Sequence, residues 1–241
     1  MEGPQILFRI PIYLPFFPFE NGIPITDTVV NSWLIILAVL ILCLVLTHKM
    51  EKIPVKKTQI IAEKIVVTID NLVESTMGKK FMRYAPFILA LMTFSLCGSL
   101  ISLLGARPVT ADFNTTLGWA LVTFTLIQWN NIKAHGFVGY LKGFIQPVAF
   151  LLPINIVSEI ATPISMSFRH FGNLAAGVVI TELVYSALAS FSTMLFSIDI
   201  PILQIGLPAV LSIYFDLFTA VLQAFIFCML TMVFISNAAS D

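Results

Sequence analysis

The chain is built around long blocks of apolar residues that carry no charge: 29–47, 84–106, 113–132, 183–198, 200–215 and 217–240. A helix needs about 20 such residues to cross a bilayer core of about 30 Å. Three of the blocks reach that length alone, and the later ones merge into longer spans broken by single charges. Across the chain 58% of residues are hydrophobic and 11% charged, against about 45–50% and about 25% in ordinary soluble domains. The pattern predicts an all-α membrane protein, one integral membrane domain over 1–241 with about five transmembrane helices.

A formal net charge of zero conceals a sharp asymmetry, because eight of the thirteen Lys and Arg residues lie between Lys49 and Arg83. Basic residues accumulate in cytoplasmic loops. Residues 48–83 are therefore expected inside, the N-terminus outside and the C-terminus in the cytoplasm. No basic stretch precedes a short apolar core, so no cleaved signal peptide is expected, and the pattern favours a bacterial plasma membrane. Cys43, Cys97 and Cys228 sit singly in apolar spans, which suits small core filler rather than a disulfide framework or metal site. The histidines, His48, His135 and His170, are scattered. An intramembrane hydrolase would need a nucleophile and base, or a metal cluster, brought together.

Residues 1–28 hold five of the thirteen prolines and read as an irregular outer segment. In "TQIIAEKIVVTIDNLVESTM" (58–77), Ile61, Ile65, Ile69, Leu72 and Val73 share one helical face. Glu63, Asp70 and Glu74 occupy another, which predicts an amphipathic helix at the cytoplasmic interface. A span over 84–106 then runs outward, 107–112 turns, and 113–132 returns to a glycine-rich cytoplasmic link, "KAHGFVGYLKGF". A helical hairpin follows over 144–236, with arms of about 144–198 and 208–236 joined by an outer turn at Pro201, Gly206 and Pro208. The second arm would be about 43 Å long. It must tilt, bend or project from a core of about 30 Å. The first arm is longer still, with Pro163 and the Gly172/Gly177 pair as expected kink points. Two overlong, tilted helices fit a surface wrapped against something large.

Four charged residues of the hairpin fall at membrane depth: Glu159, Arg169, Glu182 and Asp216. Intramembrane ionisable groups are costly and by default mark an ion pathway or substrate site. A structural ion pair would account for one Arg and one carboxylate, but less well for one Arg and three carboxylates at staggered depths. Along an ideal helix Glu159 lies about 15 Å to the cytoplasmic side of Arg169 and Glu182 about 20 Å to the outer side. Asp216 is also toward the outside, and Gln223 lies about 10 Å deeper on the same helical face, near the level of Arg169. Glu182 projects about 220° around the helix from Arg169. Asn173 and Ala176 share the arginine's face, and Gly172, Ala175 and Gly177 leave its surroundings bare of bulk. Small residues let another helix approach closely, so the arginine's carboxylate is expected on a different polypeptide.

"PISMSFRHFGNLAAG" (163–177) and "LQAFIFCMLTMVFIS" (222–236) resemble the two signature stretches of subunit a of F-type ATP synthases. "HGFVGYLKGF" (135–144) and "PITDTVV" (24–30) extend the resemblance over essentially the whole chain. It implies that Arg169 is the family's rotor-facing arginine, Asn173 its asparagine and Gln223 its glutamine, with Glu159 in the cytoplasmic half-channel. It further implies a non-catalytic stator that works with a ring of c subunits, peripheral-stalk b subunits and other synthase subunits, and needs no cofactor or nucleic acid. Two positions depart from the pattern. Val178 stands where many relatives carry Glu, with Glu182 one turn later, and Asp216 stands where some carry His. His170, commonly Leu in relatives, is expected to be packed or lipid-facing.

The implied chemistry suits these residues. A guanidinium stays charged, so it holds a rotor carboxylate as the anion and blocks direct leakage between half-channels. Each charge crossing is worth about 2.3 kcal/mol per 100 mV, so several crossings must be geared together by rotation. An ion-coupled secondary transporter is the main alternative. Such folds commonly carry internal repeats with broken helices in paired positions, and the sequence has one hairpin of this kind and no repeat.

Overall fold

The computed structural model describes residues 5–10, 23–51, 56–104, 106–145, 148–196 and 207–239. Two short strands, β1 (Ile6–Ile10) and β2 (Ile23–Thr26), pair antiparallel. The N-terminal segment is thus not irregular throughout. The proline-free run "ILFRI" can donate along its length, and Pro24 is tolerated because each strand of a two-stranded ribbon has an open edge.

Helix α1 (Asp27–Leu46) follows directly and is held mainly at its N-terminal end. Thr28 Oγ1 donates to Asp112 Oδ2 at 3.0 Å, and Asn31 Nδ2 donates to the Arg107 carbonyl at 2.9 Å. Beyond these ties α1 is peripheral, with 6% of its span buried.

Helix α2 (Lys57–Met77) ends at Gly78, whose φ of 83° reverses the chain at a conformation that favours glycine. Its apolar stripe is divided. Ile69, Val73 and Met77 are buried in the core, whereas Ile61 and Ile65 are 53% and 47% exposed.

A 3-10 turn leads into α3 (Ala85–Leu100), with Pro86 in the first turn where its missing N–H costs nothing. Helix α4 (Phe113–Gly143) starts at Asp112, whose side chain caps it by accepting from the Asn114 N–H. It runs through the glycine-rich link, broken only at Gly136, where φ is 71°. The expected link is therefore helical on both sides of a single glycine.

The hairpin arms are α5 (Leu152–Phe196), 45 residues, and α6 (Leu207–Asn237), 31 residues. At 1.5 Å per residue they extend about 68 Å and about 47 Å. Pro163, Gly172 and Gly177 all lie within α5, which is continuous through them. The expected outer turn at Pro201 and Gly206 lies outside the described residues.

The core gathers where α3 and α6 cross the amphipathic helix: Val73, Ile88, Phe227, Cys228, Met232 and Ile235 are buried together. Among the described residues, Asp27–Leu46, Lys79–Leu104, Ala149–Met194 and Leu217–Asn237 are long and apolar enough to cross a membrane. Helix α4 is less apolar because several of its polar side chains face neighbours: Thr123 meets Thr231 at 3.4 Å, and Asn130 Nδ2 donates to Tyr84 Oη at 2.7 Å. The architecture is that of an all-α, multi-pass membrane protein with one small two-stranded ribbon.

Candidate functional site

Helix α5 turns two different faces to its surroundings around residue 169. Arg169, Asn173 and Ala176 are exposed, on a face that the chain's own helices leave uncovered. Met166, Ser167 and His170 point the other way and are buried. Alternation of this kind follows from the helical period, since adjacent residues project about 100° apart. The glycines that follow Arg169 keep the region open, for a Cβ at Gly172 or Gly177 would meet nothing within 4 Å.

No described carboxylate forms an ion pair with Arg169; the ion pairs among the described residues, Lys56–Glu51 and Lys79–Glu74, lie far along the chain at 3.5 Å each. Asn173 does have a partner. Its Nδ2 donates to Gln223 Oε1 at 2.6 Å, joining the arms of the hairpin at the arginine's level. Gln223 itself is 3% exposed. The sequence places Gln223 near the level of Arg169; in the structure its bond is to Asn173, one helical turn on from that arginine.

The three carboxylates do not converge on the arginine. Glu159 is half-buried on the first part of α5 and accepts a hydrogen bond from Gln128 Nε2 of α4. Pro163, one turn on, has no N–H to offer the Glu159 carbonyl, which leaves that turn of the helix one bond short. A polar cavity of about 710 Å³ opens beside Glu159, lined by Asn131, His135, Tyr140, Asn155, Ser158 and Asn237 among others. Burial raises the Tyr140 pKa, and the Glu159 charge adds to the shift. Glu182 is exposed on the other half of α5. Asp216 belongs to α6 by its backbone, while its side chain, like that of Val178, lies outside what is described.

Of the two sites foreseen for His170, packed or lipid-facing, the structure takes the packed one. The ring is 1% exposed, edge-on to Trp119 and to Phe227 at 5.6 Å each, with Nε2 3.5 Å from Ser95 Oγ. Two polar groups here escaped sequence reasoning. Gln128 was legible only as one uncharged polar residue within an apolar block, and Ser95 as one hydroxyl in another.

What the arrangement can do follows from its layout. An exposed permanent cation is flanked along one helix by an acid in a polar pocket on one side and an exposed acid on the other. Such a surface offers a fixed positive charge to a partner that presents carboxylates.

Comparison with known proteins gives the family. Residues 29–236 match the family described as ATP synthase A chain. The chain is similar to the sodium ion specific ATP synthase subunit a of Propionigenium modestum, 33% identical over 100% of this chain and 86% of that protein. It is also similar to ATP synthase subunit a of Geobacter sulfurreducens, 33% identical over 95% of this chain and 97% of that protein. The corresponding protein of Moorella thermoacetica is 32% identical over 89% of this chain and 91% of its own length. The chain belongs to the subunit a family of F-type ATP synthases, a multi-pass component of the ion-translocating membrane sector that works with other subunits of the synthase.

Proposed function

We propose that this subunit is the stator half of a rotary proton path, and that Arg169 separates two offset half-channels. The observation that carries the reading is the placement of Arg169: exposed, unpaired with any described carboxylate, and surrounded by small residues on a face open to another helix. A fixed cation in a low-dielectric setting demands a counter-charge. Here that charge comes from a ring of c subunits, each bringing one carboxylate past the arginine.

Near Arg169 the rotor carboxylate is favoured as the anion, because the guanidinium cannot give up its proton. It releases its proton to one half-channel there. Away from the arginine it faces lipid, where a charged group is costly and the neutral acid is preferred, so it must reload before turning further. Glu159 and its polar cavity serve the cytoplasmic side. Glu182 and Asp216 serve the outer side, with Gln223 and Asn173 lining the path at the arginine's level. The cation prevents protons from passing straight between them.

On this reading the chain has no catalytic activity of its own; coupling to ATP synthesis or hydrolysis passes through rotation. The hairpin 144–236 carries the ion path, 48–83 lies on the cytoplasmic side, and the N-terminal segment lies outside. The membrane is a bacterial plasma membrane, and b subunits of the peripheral stalk hold the subunit against the rotor.

The test is ATP-driven acidification of vesicles carrying equal amounts of assembled complex, native or Arg169→Ala. Loss of pumping with ATP hydrolysis retained by the detached head is the expected result. Pumping at the native rate would make Arg169 a structural cation and remove the half-channel reading with it.

A further inference from the structure

A small, partly open cavity of about 10 Å³ is lined by Ser99, Thr110, His170, Leu174, Thr219, Ala220 and Gln223. Two of its polar atoms, His170 Nδ1 and Gln223 Nε2, are buried and have no hydrogen-bond partner among the described residues. Both side chains are almost wholly inaccessible, at 1% and 3% exposure. A buried polar atom left unpaired costs about 1–3 kcal/mol. Two such atoms on one cavity imply a shared partner. The volume sets its size, since about 10–15 Å³ of this measure is what one water needs. The hydroxyls of Ser99 and Thr110, 3.1 Å apart, supply further polar contacts in the same wall.

We propose that this cavity holds one ordered water bridging His170 and Gln223, and that His170 is a positioning residue for the ion path. Hydrogen bonding balances in either ring tautomer. If His170 Nε2 carries the proton toward Ser95, the water donates to Nδ1 and accepts from Gln223 Nε2–H. If Nδ1 carries it, the water accepts from both and donates to the hydroxyls. Either way the amide of Gln223 is pinned with its nitrogen toward the cavity and its Oε1 toward Asn173, whose Nδ2 it binds at 2.6 Å. The chain His170–water–Gln223–Asn173 then ends on the face that presents Arg169. A histidine packed against Trp119 and Phe227 thereby sets the orientation of polar groups a rotor carboxylate would meet. This inference rests on the half-channel reading above.

The replacements of His170 separate positioning from packing. The Asn side chain places a polar atom where Nδ1 stands, whereas Gln reaches toward the Nε2 position and its Ser95 contact, and Leu offers neither. In vesicles carrying equal amounts of assembled complex, His170→Asn is expected to pump protons within about twofold of native. His170→Gln and His170→Leu should be slower by about fivefold or more. Equal losses in all three, or native rates for His170→Leu, would overturn the proposal. A cryo-EM map of the native complex that resolves buried waters should carry a peak within hydrogen-bond distance of both nitrogens, and an empty cavity in such a map would also overturn it. Arg169→Ala in the same vesicles keeps the two readings apart. If it is silent while His170→Leu pumps normally, the positioning role fails and the half-channel reading stands. If Arg169→Ala still pumps, the half-channel reading fails first.

Discussion

Asn173 donates to Gln223 across 2.6 Å, yet the two residues live in different surroundings: Asn173 is exposed on α5, and Gln223 is buried on α6. Losing Asn173 therefore strands the buried Gln223 Oε1. Asn173→Ala is expected to cost about 1–3 kcal/mol. For a chain of this size that lowers the thermal midpoint by several degrees. Thermal unfolding in detergent measures it; an unchanged midpoint would mean that Gln223 Oε1 has another donor.

A second buried polar cluster sits where α3 meets α4. Asn130, 2% exposed, donates to the Leu126 carbonyl and to Tyr84 Oη at 2.7 Å each, and its Oδ1 lies 3.1 Å from Arg83 Nη2. Removing the Tyr84 hydroxyl leaves Asn130 its other partners, but removing Asn130 leaves Tyr84 its contact with the Arg83 guanidinium alone. Asn130→Ala should therefore destabilise by about 1–3 kcal/mol and Tyr84→Phe by less, about 1 kcal/mol. Chemical denaturation of the two variants in mixed micelles gives the order, and a larger loss for Tyr84→Phe would contradict the network as drawn.

The contrast between these two clusters explains what was legible in the sequence. The apolar blocks and the lone Arg169 could be read directly, because a long uncharged run has one stable outcome in a bilayer and a cation within it demands a reason. The depth of Gln223 relative to Arg169 was read from helical rise, but its bond to Asn173 was not. The partner of Glu159 could not be read, because Gln128 belongs to another helix and its register against α5 depends on packing that no local pattern encodes. His170 was ambiguous for the same reason: one residue of rotation separates the open face of α5 from its core. The strands at Ile6–Ile10 and Ile23–Thr26 were hidden by the prolines between them.

Tyr140 offers a pH test of the cavity beside Glu159. Burial first, and the Glu159 charge second, hold its phenol above the usual tyrosine pKa of 10.0. A raised folded-state value means the folded chain binds the phenolic proton more tightly. The corresponding stability is present below the unfolded tyrosine pKa and is lost as pH rises through the folded one. Glu159→Gln removes the smaller contribution, so Tyr140 should ionise at a lower pH in that variant while staying above an exposed tyrosine. The difference in tyrosinate absorbance against Tyr140→Phe, followed from neutral to alkaline pH, isolates this group among the five tyrosines. An unchanged titration would show that the Glu159 charge is not felt at Tyr140.

The divided stripe of α2 makes the last prediction. Val73 is 0% exposed, packed in the core, whereas Ile65, two turns earlier on the same apolar face, is 47% exposed. An unpaired carboxylate at Val73 would be buried without a partner and strongly disfavoured, so Val73→Asp should fail to give a monodisperse protein in detergent. Ile65→Asp should fold normally there, because that position is half-exposed. Its effect belongs to the bilayer. An amphipathic helix lying in the interface buries its apolar face about 5–10 Å into the headgroup and acyl boundary. A nitroxide attached at an engineered Ile65→Cys, with the three native cysteines replaced, should collide more with dissolved oxygen than with a water-soluble nickel chelate once the protein is in vesicles. The reverse preference would place this half of α2 in water, and its exposed isoleucines would then have to be covered by another subunit.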